Sequence, residues 1–299
     1  MPVDPAFAAS GRFFKGNIHT HSNRSDGALS PEAVCEAYRE AGYDFLSLTD
    51  HFLGKYGFPI VDTRRYRTNN FTTILGAEVH APATSLGDLW HLLAVGLPED
   101  LAPTAADESG PALAQRCLAA GAFLAIAHPA WYGLTKADAD TIDGAHAVEI
   151  YNHTSAVRTD RGDGSVLLDQ LHAAGRRINI CAVDDAHFHC RDCFGGFVMV
   201  RASDNEPEAL LESLKAGAYY SSQGPVIESV VYGDESVEIA CSPASAVMVL
   251  GRGSRAKQQI GTDITRATLP LDAVQPGGYA RVVVMDREGR RAWTNPVWW

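Results

Sequence analysis

From residue 16 to about residue 222, short apolar runs alternate with amphipathic stretches, the pattern of successive strand–helix units. Apolar runs at 17–20, 45–49, 72–77, 91–95, 123–127, 147–151, 178–183 and 197–200 predict strands. Ser30-Pro31-Glu32 predicts a helix start. Serine caps free amides, proline suits the first turn, and an acid favours the positive end of the helix dipole. Gly42 predicts the end of that helix. Further helices are expected over 112–120, 164–174 and 207–216, the first and third ending at Gly121 and Gly217.

The pattern changes after Gly224-Pro225. Short β-rich runs (VIESVVY, SVEIA, SAVMVLG, ARVVVMD) then alternate with glycine and proline turns, and no helical period appears. This predicts an α/β domain over 1–225 and a small all-β sheet or sandwich over 226–299. The second region contains no histidine, so a histidine-based site is expected in the first.

At 299 residues, 46% hydrophobic and 20% charged, the chain has enough apolar surface for a sizeable core. Its net charge of −11 argues against a long nucleic acid as partner. It leaves a small phosphorylated substrate open, because bound cations dominate a local field. The start MPVDPAFAASGRFFKG lacks the basic and apolar blocks of a signal peptide, and no apolar run is long enough to cross a bilayer. Cys35, Cys117, Cys181, Cys190, Cys193 and Cys241 are scattered, several in apolar segments, which suits a reducing cytoplasm. Nothing in the sequence bears on oligomeric state.

Polar residues capable of holding metal fall at the C-terminal ends of the predicted strands. His19 and His21 are two apart, which puts both imidazoles on one side of an extended chain. His51 ends FLSLTDH, Glu78 follows TTILGA, His128 ends FLAIAH, and Asp185 and His187 end INICAVDDAH. In parallel α/β barrels that rim carries the active site. Imidazole with carboxylate suits zinc, iron or manganese, so two or three divalent ions are expected.

The ordered series HTHSNRSDG, SLTDH, GAEVH, AHP and DDAH, spanning roughly 16–190, resembles the motifs of the polymerase-and-histidinol-phosphatase (PHP) superfamily of metal-dependent phosphoesterases. GNIHTHS and AYYSSQGP are similar to its carbaryl-hydrolase-like branch. The resemblance implies an irregular, distorted seven-stranded β/α barrel. It implies that His19, His21 and Asp185 hold one metal, with Glu78 bridging to a second completed by His91 and His128. Asp26, His51 and His187 would hold a third. His80 lies on the same strand face as Glu78 and competes with His91 for its role. Water activated between two metals would attack phosphorus, while Asp26, His51 and His187 serve the departing alkoxide. Asp50 is either a carboxylate that orients a ligand or a turn residue.

Weaker signals complete the reading. Glu149 and Asn152 in VEIYNH either touch substrate or support ligands. Arg24, inside the first motif, is the leading phosphate-binding candidate among several cations that include Lys55, Arg64, Arg65, Arg67, Arg158, Arg161, Arg191 and Arg201. Cys190-x-x-Cys193 with His187 and His189 makes half a zinc site and lacks a second pair. The short interval from His128 to Glu149 predicts an open pocket, or one covered by the 56–70 loop or by the C-terminal region. The expected function is a phosphoesterase acting on a small phosphorylated metabolite or nucleotide. Its alternatives are a carboxyl or carbamate ester hydrolase and a non-catalytic metal-binding module.

Overall fold

The computed structural model describes residues 2–299; Met1 lies outside the described residues. The strands before residue 225 begin with β1 Arg12–Asn17, β2 Phe45–Leu46, β3 His51–Phe52, β4 Thr72–Thr73, β5 Gly76–Ala81 and β6 Trp90–Val95. They continue with β7 Phe123–Ile126, β8 Ala147–Asn152, β9 Asn179–Val183, β10 Phe197–Ala202 and β11 Tyr219–Ser222. After it come β12 Ile227–Tyr232, β13 Ser236–Leu250, β14 Ala256–Pro270, β15 Tyr279–Met285, β16 Arg291–Thr294 and β17 Val297–Trp298. The helices are α1 Pro5–Ala8, α2 Pro31–Glu40, α3 Gly110–Ala119, α4 Lys136–Thr141, α5 His153–Thr159, α6 Ser165–Ala173 and α7 Pro207–Lys215. No helix among the described residues is long and apolar enough to cross a membrane.

Helix starts follow local chemistry. Ser30 Oγ accepts the Ala33 amide at 3.2 Å, and Pro31 occupies the first turn of α2. Ser109 does the same for α3, which begins two residues before the expected 112. Helices α4 and α5 were not anticipated. Each is at most seven residues long, too short for a hydrophobic period to show, and each starts on a side-chain cap: Thr135 for α4 and Asn152 for α5.

The chain is mixed α/β, and its strands form two sheets rather than one closed ladder. A six-stranded sheet runs β3-β5-β6-β7-β8-β9, and an eleven-stranded sheet runs β12-β13-β15-β16-β11-β10-β1-β2-β4, with β14 beside β13 and β17 beside β15. Regular strand pairing alone does not close a barrel. The two sheets meet at two seams of isolated hydrogen bonds. At one, Asp185 N donates to His19 O at 2.8 Å and His21 N to Ala186 O at 2.9 Å. At the other, Thr49 N donates to Thr20 O at 2.9 Å and Glu78 N to Thr49 O at 3.1 Å. Both seams lie among the residues expected to bind metal, where the chain leaves regular strand geometry.

The predicted run 72–77 splits into β4 and β5, which moves Glu78 from a strand end to mid-strand, opposite His51 of β3 and Leu93 of β6. Strand β6 runs antiparallel to β5, so His91, the second residue of β6, pairs with His80 at the same rim.

Residues 226–299 are all β, as expected, and the sheet passes from β11 to β16 without a break in pairing (Tyr220↔Thr294). Trp293 and Val283 belong to the same buried cluster as Ile180, Leu168 and Val148. Asn295 is 1% exposed and serves three backbone groups: its Oδ1 accepts Ile180 N, and its Nδ2 donates to Gly217 O and Tyr219 O, each at 3.0 Å. Arg281 of β15 reaches Asp169 of α6 at 2.5 Å.

Each buried backbone group left without a partner costs about 1–3 kcal/mol. Asn295→Ala is therefore expected to destabilise the fold by about 3 kcal/mol or more, read as a lower urea midpoint at unchanged m-value. Truncation after Pro225 is expected to give a chain without a cooperative melt; a truncated protein melting like the full chain would show that 2–225 folds alone.

Candidate metal centre

Glu78 lies at the middle of the site with no solvent exposure. Its Oε1 is 2.7 Å from His91 Nδ1 and 2.9 Å from His128 Nε2. Its Oε2 is 2.6 Å from His51 Nδ1 and 3.6 Å from both His19 Nε2 and His21 Nε2. Asp185 Oδ1 stands 2.8 Å from His21 Nε2 and 3.3 Å from His19 Nε2. Asp26 Oδ1 is 3.4 Å from both His51 Nε2 and His187 Nε2. All nine expected ligands therefore converge.

The separations of 3.3–3.6 Å, around His19, His21, Asp26 and His187, suit shared cations, whereas those of 2.6–2.9 Å are hydrogen-bond distances. With metal–ligand bonds near 2.1 Å, neighbouring ligand atoms of a tetrahedral ion lie about 3.4 Å apart. His19 Nε2 and Glu78 Oε2 are buried without a hydrogen-bond partner, a cost that a bound cation would remove. Four overlapping groups bring one ligand atom per residue within 4.8 Å: His19/His21/Asp185, His19/Glu78/His128, His21/Asp26/His51/His187 and His51/Glu78/His80. No cysteine enters these groups among the described residues.

The donor nitrogens are set by what holds the opposite side of each ring. His19 Nδ1 donates to Glu149 Oε1 at 2.6 Å, leaving Nε2 for a cation. His187 Nδ1 donates to the Asp185 carbonyl at 2.7 Å, again leaving Nε2. Such partners fix tautomer and ring orientation. Glu149 Oε2 also accepts the His128 amide at 2.7 Å and Asn152 Nδ2 at 2.9 Å, while Asn152 reaches Asp185 Oδ2 at 3.1 Å. Each is 1% exposed, so both stand behind the ligands rather than on the substrate side. Of the two roles expected for them, these contacts favour support of the ligands over contact with substrate.

Although the Asp50 carbonyl accepts the Glu78 amide at 3.3 Å, its carboxylate makes no hydrogen bond to a ligand side chain. It accepts Ser22 N and Ser22 Oγ at 2.8 and 2.7 Å and Ser25 Oγ at 2.7 Å, tying down the loop that delivers Asp26. Asp192, which carried no sequence signal, accepts the His187 and Phe188 amides at 3.1 and 3.0 Å. Asp184 accepts Tyr38 Oη at 2.7 Å and the amides of Phe194, Gly195 and Gly196 at 2.8 Å each. At Gly196 a Cβ would stand 2.4 Å from Val183 O, so only glycine permits this approach. His128 and Asp185 both have left-handed backbones, φ 24° and 57°. Such conformations cost about 1–3 kcal/mol each and concentrate at functional sites.

A cavity of about 390 Å³ opens over the cluster, lined by Asp26, His51, His91, His128, Asp185 and His187, with Trp131 and Arg158 on its walls. Neither the 56–70 loop nor the C-terminal region lines it, so the expected cover is replaced by Trp131 and helix α5. Arg24 is exposed and faces a separate groove beside Tyr56 and Arg65. Arg158 is the cation that the fold brings to the pocket instead. Arg64 pairs with Asp62, Arg67 donates to Thr73 O, and Arg201 lies over Phe13. A larger cavity of 620 Å³ beside Ser242, Asp263 and Asp286 holds none of the histidines.

In the metal-free protein, protons take the place of cations. Burial opposes protonation of His51, but the charges of Glu78 and Asp26 outweigh it and raise its pKa to about 10. His187 is raised too, against burial, by Asp26 and Asp185. Burial, then the charges of His51 and His187, push His21 down to about 3. Glu78 is held well below the carboxylate range, the surrounding imidazoles overcoming its burial.

No family model and no curated protein matches the sequence. Among solved structures, the chain is similar to a two-domain Bacteroides vulgatus protein containing a predicted PHP-like metal-dependent phosphoesterase. The identity is 15%, the TM-score 0.52, and 94% of each chain is covered. It also matches an amidohydrolase from Chromobacterium violaceum with bound sulfate at 14% identity and TM-score 0.41, covering 57% of this chain and 87% of the other. At such identities the first match establishes a common fold, including the β region after residue 225.

Glu149→Gln is expected to weaken metal binding about 10–100-fold, measured by chelator competition, with the fold intact by circular dichroism. Metal affinity should also rise with pH. The ligands His51 and His187 must lose protons that the metal-free site holds tightly, so affinity climbs as pH increases from 6 towards 10. A pH-independent affinity across 6–9 would contradict the proton–metal competition.

Proposed function

We propose that the chain is a metal-dependent phosphoesterase acting on a small phosphorylated molecule, with an irregular seven-stranded barrel closed by the two seams. In this reading His19, His21, Glu78 and Asp185 hold one divalent ion, and Glu78, His91 and His128 a second. Asp26, His51 and His187 hold a third. The donor set suits manganese, iron or zinc. Bound there, such ions would supply an activated water and neutralise charge on the phosphoryl oxygens. The free cysteines, four of them buried, fit a reducing cytoplasm.

The observation that favours phosphate over a neutral ester is Arg158. In a chain of net charge −11, it stands on the pocket wall and makes no ion pair among the described residues. A guanidinium matches phosphate oxygens two at a time. Its placement is tied to the metal site, because Asn152 caps helix α5 by accepting Ser155 N at 2.9 Å while its amide reaches Glu149 and Asp185. Trp131, ring centroid 5.2 Å from His128, forms an apolar wall for the body of the substrate. Asp26 and His187 reach the same cavity and are placed to serve the leaving oxygen.

The test is a panel of phosphomonoesters, phosphodiesters, bisphosphates and carboxyl esters assayed on metal-reconstituted protein. Turnover of a phosphate ester is expected, and preference for carboxyl esters would overturn the reading. Asp185→Ala should abolish turnover and lower metal content while the protein stays folded. Arg158→Ala should raise KM for a phosphate ester at least 10-fold, in line with about 1.5–3 kcal/mol for a charge-assisted hydrogen bond, and leave metal content unchanged.

A further inference from the structure

His80 is a buried histidine with no place in the three proposed ion positions. Its partners say what it does. Nδ1 donates to the Trp90 carbonyl at 3.1 Å, so Nε2 carries the lone pair. That Nε2 stands 2.9 Å from His51 Nδ1, a hydrogen-bond distance. Two ring nitrogens this close share one hydrogen, which must then sit on His51 Nδ1. The lone pair of His51 is thereby left on Nε2, the atom 3.4 Å from Asp26 Oδ1.

Glu78 Oε2 also lies near His51 Nδ1, at 2.6 Å, but both Glu78 oxygens face other imidazoles: Oε1 faces His91 and His128, and Oε2 faces His19 and His21. Once Glu78 is shared between cations, His51 needs another acceptor, and His80 is the neutral one at hand. The alternative, an ion held by His51 Nδ1, Glu78 and His80, would leave the His51 hydrogen on Nε2, pointing at the Asp26 carboxylate, and so take His51 out of the third ion position.

We infer that His80 is a positioning residue for the third metal position, acting as the buried acceptor that locks His51 with its hydrogen on Nδ1 and its lone pair towards Asp26 and His187. The inference rests on the three-ion reading above. It also separates His80 from His91: both flank Glu78, but only His91 opens onto the pocket.

The experiment counts ions per chain on full-length protein stripped with chelator and dialysed against buffered zinc. Wild type should take up three ions. His80→Phe, which cannot accept, should keep two and bind the third about 10–100-fold more weakly. His80→Gln, whose amide oxygen reaches the same point, should hold all three within a few-fold of wild type. A Phe variant with three ions at wild-type affinity overturns the inference. So does a Gln variant that loses the third ion, because His80 would then be a ligand itself. Should the Phe variant fail to fold, nitrogen-15 histidine spectra of wild type decide: a coupling across the bond between His51 Nδ1 and His80 Nε2 is expected, and its absence overturns the inference. A wild-type chain that takes up no zinc, manganese or iron would instead overturn the proposed function, and the coupling would still test this bond alone.

Discussion

A carboxylate with no solvent exposure, Glu78, is the constraint around which the molecule is organised. A buried unpaired charge costs several kcal/mol even after relaxation, so the fold must supply compensation. It does so with imidazoles from several parts of the chain: His19 and His21 after β1, His51 on β3, His91 on β6 and His128 after β7. All are neutral or protonated as conditions require. Cations shared among these groups would satisfy the same carboxylate with fewer protons, which is the physical ground for expecting metal affinity to depend on pH. The departures from regular strand geometry follow from the same demand. Two seams replace continuous ladders, and His128 and Asp185 take left-handed backbones, so that side chains from different strands can point at one place.

Behind the ligands lies a second set of buried carboxylates whose task is orientation. Glu149 holds His19 and the His128 backbone, Asp192 holds the His187 backbone, and Asp50 holds the loop before Gly27. Asp184 gathers Tyr38 and three amides, and burial raises its pKa to about 6 despite these donors. Asn152 joins this layer to the pocket, binding Glu149 and Asp185 while capping the helix that carries Arg158. One side chain thus ties the helix that carries the pocket-wall Arg158 to Glu149 and Asp185.

The region after residue 225 takes part in the same construction. It extends the sheet from β11, buries Trp293 against the first core and satisfies backbone groups on β9 and β11 through Asn295. Through Asn295 it touches β9, the strand that leads directly into Asp185.

The α/β pattern was legible because apolar periodicity reports burial directly, and the nine residues that converge were named from His, Asp and Glu near predicted strand ends together with the family resemblance, which alone supplied Asp26 and His91. The change at Gly224-Pro225 was legible for the same reason, as a loss of helical period. What tertiary structure alone decided were the partnerships. Whether Glu149 and Asn152 face substrate or ligands depends on which way β8 turns its side chains. That Arg158 rather than Arg24 reaches the pocket depends on a seven-residue helix too short to leave a periodic signal. His80 and His91, between which sequence offered only a preference for His91, are paired across β5 and β6. Strand order tells them apart: β5 lies beside β3, which sets His80 against His51, while His91 on β6 opens onto the pocket. Residue type and spacing announce a ligand; which atoms meet is set by the packing of strands far apart along the chain.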